Sequence, residues 1–313
     1  YNLATFATEP ATKQVNTQQE SPSAIKIVVN NWTSQIVLSH ITGSMFQQLG
    51  YEVEYIPTST SDQWGALAHD AAHVQVEVWQ GTMAESFNRH VAAGSIIDAG
   101  AHTAMTREDW WYPAYVEQDC PGLPSWQALK DCAQIFSPPN SNNRGVYYAG
   151  PWEKPDAARI RALKLNFDIV VLTSGDELWL ELEKAIKDKR PIVLFNWSPN
   201  WVESRIAGQF IEFPDYDIAC EQDPSWGVNK SFLYDCGNPK GGWLKKASAR
   251  GMEKQFPCAF NALKNISFSN QQLSYISALV DVDKMTYEDA ARQWLAENKP
   301  IWQKWLPLGC NYE

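Results

Sequence analysis

The sequence predicts an α/β protein of two lobes with a ligand cleft between them, on three observations. Short apolar strands alternate with amphipathic helical stretches, the pattern of a parallel sheet. The alternation breaks near Thr106 to Tyr115 and then starts again, giving two units of about the same size. Three strands end in a tryptophan: Ile25 to Val29 at Asn30-Asn31-Trp32, Val74 to Val78 at Trp79, and Pro191 to Phe195 at Asn196-Trp197. Ligands of open α/β sheets gather beyond the carboxyl ends of the strands, so these indoles mark the expected site.

Taken in order, residues 1–23 are rich in Thr, Gln, Ser and Ala and read as a loose arm. After the first strand, Val37, Ile41, Met45 and Leu49 recur every four residues, which predicts a helix from near Ser34 to Gly50. A strand over Tyr51 to Pro57 and a short helix over 62–69 follow. The strand Val74 to Trp79 then puts Val74, Val76 and Val78 on one face and Gln75, Glu77 and Trp79 on the other, so a carboxylate accompanies an indole at the strand end. Met83 to Ala93 is the next helix. Trp110-Trp111-Tyr112-Pro113 reads as an extended crossing. The second unit comprises helix 125–131, strand 145–149, helix 155–164, strand 167–172, helix 176–188 and strand 191–196. Beyond a loop from Phe210, helices are predicted over 242–255, 258–264, 270–280 and 286–304, a tail returning to the first lobe. The division is therefore 24–109 plus 213–313 for lobe I and 110–212 for lobe II.

Composition narrows the function. A net charge of -10 and a pI near 5.1 argue against nucleic acid, since no basic stretch is available for phosphates. No apolar run is long enough to span a membrane. Fifteen Trp in 313 residues point to flat apolar recognition or cation binding. Trp126, Trp179, Trp243 and Trp294 fall in predicted helices and read as core.

The six cysteines show no C-x-x-C spacing, so disulfides in an oxidising compartment are expected. About fifteen pairings are possible, but Cys120 with Cys132 and Cys220 with Cys236 each flank a turn-rich loop, leaving Cys258 with Cys310. The chain begins without a signal peptide, so export implies cleavage before Tyr1, and the lack of an N-terminal cysteine argues against a lipid anchor.

Enzyme signatures are weak. His69-Asp70-Ala71-Ala72-His73 has Asp where the H-E-x-x-H zinc motif needs Glu, and His73 runs directly into a strand, so no metal is expected there. No phosphate or dinucleotide loop is present, and no cofactor is expected. Asp215, Asp217, Glu221, Asp223 and Asp235 crowd one loop without EF-hand spacing and read as a solvated acidic loop.

Asn31-Trp32-Thr33, Glu77-Val78-Trp79, Gly150-Pro151-Trp152 and Phe195-Asn196-Trp197-Ser198-Pro199-Asn200-Trp201 together resemble the substrate-binding proteins of ABC importers for glycine betaine, choline and trimethylamine N-oxide. The likeness runs from about 25 to 305. It implies a type II periplasmic binding protein fold and an aromatic box in the interdomain cleft. Trp32 and Trp79 would line that box from the first lobe, and Trp152 and Trp197 from the second. Trp110, Trp111 and Tyr112 are further candidates to close it.

The implied protein is a non-enzymatic periplasmic receptor, a monomer, that hands a methylated amine to a membrane permease. A quaternary ammonium has no N–H to donate, so indole faces suit it, at about 0.5–2 kcal/mol each. Choline receptors of this kind carry an aspartate where this chain has Ser34, and some betaine receptors a histidine where it has Met83. Glu77 at the ligand's polar end would repel a betaine carboxylate and accept an N-oxide, which puts trimethylamine N-oxide first and glycine betaine second. A Trp-rich carbohydrate-binding protein and a hydrolase built on Glu77 are the competing readings.

Overall fold

The computed structural model describes residues 23–139 and 143–310. The arm expected over 1–23 falls, but for its last residue, outside the described residues.

The strands are β1 (Ile25–Val29), β2 (Val53–Pro57), β3 (Val74–Trp79), β4 (Ile96–Pro113), β5 (Gly145–Ala149), β6 (Phe167–Val171), β7 (Val193–Ser198), β8 (Gly208–Phe210) and β9 (Gly242–Ala249). Among the described residues they form one sheet in the order β2-β1-β3-β9-β4-β7-β5-β6, with β8 beside β4. β1 runs parallel to β2 and β3, and β5 parallel to β6 and β7, as helical crossovers require. These are the two α/β units that the alternation predicts.

Between them lie two antiparallel strands. The 18-residue β4 pairs with β9 through Ile96–Thr106 and with β7 through Arg107–Trp111. The expected crossing at Thr106 to Tyr115 is thus the far end of a strand that serves both halves.

The helix expected over 242–255 is corrected by the structure: Gly242–Ala249 is β9, and only Met252–Gln255 is helical. Leu244, Ala247 and a pair of lysines mimic a helical period, but β9 lies inside the sheet between β3 and β4, where six of its eight residues are buried. Lys246 is fully buried there and donates to the carbonyls of Lys264 and Ile266, at the end of helix Pro257–Asn265. Ammonium groups suit unsatisfied carbonyls at helix C-termini, so this charge is tolerated in the core. The helix expected over 125–131 shrinks to Ala128–Asp131.

The tail does return to the first half. Helices Asn270–Asp281 and Tyr287–Glu297 pack on helix Thr33–Gln48. Ser269 and Gln272 form a capping box at the start of one, and Thr286 caps the other. Disulfides join Cys120 to Cys132, Cys220 to Cys236 and Cys258 to Cys310. The acidic side chains of the 215–235 loop build turns: Asp217 accepts from the Ala219 amide, Asp223 from Ser225 and Asp235 from the Asn229 amide.

Candidate ligand-binding site

β3 passes directly into a helix and β1 does so after Asn30-Asn31-Trp32, and Trp32 and Trp79 occupy the two N-cap positions without making a capping bond. Ser, Thr, Asp or Asn there would satisfy a helix amide and contribute about 1 kcal/mol. This chain forgoes that twice and places an indole at each turn, in extended backbone conformation.

Glu77, one strand step before Trp79, ties the two indoles together. Its Oε2 accepts from Trp32 Nε1 at 2.7 Å, from Trp79 Nε1 at 2.9 Å and from Ser34 Oγ at 3.0 Å, while Oε1 is buried without a hydrogen bond. Burial pushes this carboxyl up to about 7, against the pull of the three donors. Gln75 on the same face is held by Gln35, Asn30 and Gln63, so the polar side of β3 is a buried network.

The second half supplies Trp152, Phe195 and Trp197. Trp152 stands edge-on to Trp32 at 6.1 Å and to Trp197 at 5.3 Å between ring centroids. Its Nε1 donates to Asn31 Oδ1 at 2.8 Å, a bond across the cleft. Gly150 makes the fold-back possible, because a Cβ there would lie 2.1 Å from the Trp152 ring. Behind the box, Trp179 packs at 5.0 Å from Trp197.

Trp32, Trp79, Trp152 and Trp197 line one cavity with Phe195, Thr82, Met83 and Glu108. Its volume is ≈ 20 Å³, against ~10–15 Å³ on the same measure for one water.

Glu77 is not on the wall. Expected at the polar end of a ligand, it stands behind the indoles as their common acceptor, outside the residues that line the cavity. The acid on the wall is Glu108 of β4, opposite Trp197 in the ladder with β7. Its Oε1 accepts from Thr82 Oγ1 at 2.8 Å, and its Oε2 is buried without a hydrogen bond. It approaches the start of helix Gln80–Ala92 closely, since a Cβ on Gly81 would lie 2.5 Å from Oε2. Burial pushes Glu108 up to about 7, opposed by Thr82, the Gly81 backbone and the Lys154 ammonium. Sequence reasoning missed Glu108 because the crossing gave no periodicity to assign its face. The signal available was Gly81 beside the box, a residue that admits close approach.

Trp110, Trp111 and Tyr112 do not close the box. All are buried in the second half, where Trp110 stacks on Tyr147 at 3.9 Å and donates to Asp156. Trp294 is core as expected, whereas Trp243 is a half-buried residue of β9 and Trp126 lies in a turn.

Similarity to known proteins agrees with this geometry. The family described as the substrate binding domain of ABC-type glycine betaine transport system matches residues 23–297. A trimethylamine N-oxide-binding protein of Pelagibacter ubique (strain HTCC1062) is 38% identical over 298 residues, 92% of each chain. A glycine betaine/carnitine transport binding protein of Listeria monocytogenes is 28% identical over 124 residues, 40% of this chain and 34% of its own. Among solved structures, an ABC-transporter choline binding protein in complex with choline superposes with a TM-score of 0.70 at 18% identity, covering 90% of this chain and 91% of that one. The lactococcal protein in its closed-liganded conformation with glycine betaine gives 0.70 at 18%, covering 91% and 99%. These likenesses carry the two-lobed binding-protein fold.

Proposed function

The chain belongs to the family of substrate binding domains of ABC-type glycine betaine transport systems, and from that membership we propose that it captures trimethylamine N-oxide for uptake. It is a transport receptor, not an enzyme, and it works with a membrane permease outside the cytoplasmic membrane. We place it in the periplasm as a monomer, with lobe I formed by 24–109 and 213–313 and lobe II by 110–212.

The observation that carries the ligand reading is an acid on the wall of a tryptophan box. Trp32, Trp79, Trp152 and Trp197 offer faces to a trimethylated nitrogen, each contact contributing about 0.5–2 kcal/mol. Glu108, raised to about 7, meets the oxygen. A protonated carboxyl donates to an N-oxide oxygen in one charge-assisted bond. Glu77 holds the first two indoles by accepting from both ring N–H groups.

Glycine betaine is the second reading, favoured by the family description and by the liganded neighbour. Its carboxylate, carried on a longer stem, would have to meet the acid at Glu108.

Calorimetry with trimethylamine N-oxide, glycine betaine, choline, carnitine and dimethylsulfoniopropionate tests the assignment. Trimethylamine N-oxide should bind tightest. A preference for glycine betaine of about tenfold, ~1.4 kcal/mol, overturns it. Trp79→Ala and Trp197→Ala should each cost at least about 1–2 kcal/mol of binding.

A further inference from the structure

Two residues past Trp152, the Lys154 ammonium is buried without a hydrogen bond. It lies 3.9 Å from the centroid of Phe195 and 5.5 Å from that of Trp152, two rings that line the box. Aromatic faces attract an ammonium but do not replace the hydration it has lost, and a buried charge normally survives only with polar partners. Burial pulls its pKa down, Asp156 and Glu108 favour the ammonium, and Arg159 opposes it. Asp156 is engaged by Trp110 and Arg159, and Arg159 itself is occupied by Asp109, Cys236 and Asn238. Of the two acids, Glu108 is the one that reaches the cavity, and its Oε2 also lacks a hydrogen bond.

Lys154, behind two rings of the box, and Glu108, on its wall, therefore each keep an atom without a hydrogen bond. We propose that Lys154 is a specificity-determining residue that restricts the box to methylated amines carrying their own anionic oxygen, and rejects those with a net positive charge. A zwitterion brings an oxygen that Lys154 attracts, directly or through Glu108, while its methyl groups face the indoles. A plain cation brings a second positive charge into a site walled largely by aromatic rings, with no oxygen of its own to offset the Lys154 ammonium. Electrostatic repulsion is strongest in such surroundings, and discrimination by a misplaced charge is a recognised route to specificity.

This inference rests on the proposed function, and the test separates the two. Calorimetry compares trimethylamine N-oxide with tetramethylammonium, which has the methyl groups and no oxygen, on wild type, Lys154→Met, Lys154→Gln and Lys154→Arg. Wild type should favour the N-oxide by at least about a hundredfold. The Met and Gln variants should reduce that ratio by at least about tenfold, through weaker N-oxide binding and unchanged or tighter tetramethylammonium binding. The Arg variant should keep the ratio within about threefold. If wild type binds the N-oxide but the variants leave the ratio unchanged, or weaken both ligands equally, Lys154 is structural and the inference fails. It fails too if neither neutral variant folds. If wild type binds no methylated amine, it is the proposed function that fails.

Discussion

One oxygen of Glu77 serves two indole N–H groups and a serine hydroxyl, so this residue fixes the orientation of both rings. Glu77→Ala strands three buried donors. At ~1–3 kcal/mol for a lost partner, the melting temperature should drop clearly, and binding should weaken as Trp32 and Trp79 lose their fixed orientation. Glu77→Gln keeps an acceptor oxygen, so it should fold and bind better than the alanine variant. Differential scanning calorimetry with and without ligand checks both.

The two site acids also predict the response to pH. Glu77 and Glu108 are each raised from 4.5 to about 7, so the folded state holds their protons more tightly than the unfolded state. Their contribution to stability is full below about 4.5 and is lost as pH rises through about 7. Urea titrations between those values should show stability falling with pH, and Glu108→Gln should flatten the slope. Binding follows the same sign, because the carboxyl donates to the N-oxide. Affinity should hold below about 7 and then decline by up to tenfold per pH unit, with the decline absent in Glu108→Gln.

At the scale of elements, two strand-to-helix turns carry the first half of the box, and small residues beside the indoles decide whether it closes. Gly150→Ala would drive a methyl into the Trp152 ring, and Gly81→Ala would drive one into the Glu108 carboxylate. Both variants should fold and both should lose affinity. Crystallography of the Gly150 variant should show Trp152 swung away from Asn31. The four tryptophans that line the cavity were legible, Trp32, Trp79 and Trp197 from strand-end position and family likeness together and Trp152 from the likeness. The acid was not: β4 is extended where the sequence offers only a dense aromatic run, and its faces are set by pairing with β7 and β9. β9 was misread for a related reason. A strand inside a sheet, covered over most of its length, need not alternate, and Lys246 looks solvent-facing until the carbonyls that receive it are known.

Over the whole molecule, the indole N–H of Trp152 and the side-chain oxygen of Asn31 make a direct bond across the cleft. Asn31→Ala removes about 0.5–1.5 kcal/mol from the closed form alone. Dissociation should speed up by as much as about tenfold with little change in association, readable by stopped-flow tryptophan fluorescence. The disulfides act on the opposite end of the equilibrium. Replacing Cys258 and Cys310 by serine opens a loop of 52 residues and should cost about 4 kcal/mol by loop-closure entropy, with ligand affinity unchanged.

β4 has a consequence for how the chain comes apart. Multidomain proteins commonly melt in stages, but here a single strand supplies hydrogen bonds to the ladders of both halves. Unwinding either half strips one flank of β4 and exposes its buried residues, so each half's loss lowers the stability of the other. Calorimetry should therefore record one endotherm, with its van't Hoff and calorimetric enthalpies equal. A half-unfolded intermediate, the species in which a protease finds an open chain attached to an intact lobe, should never accumulate.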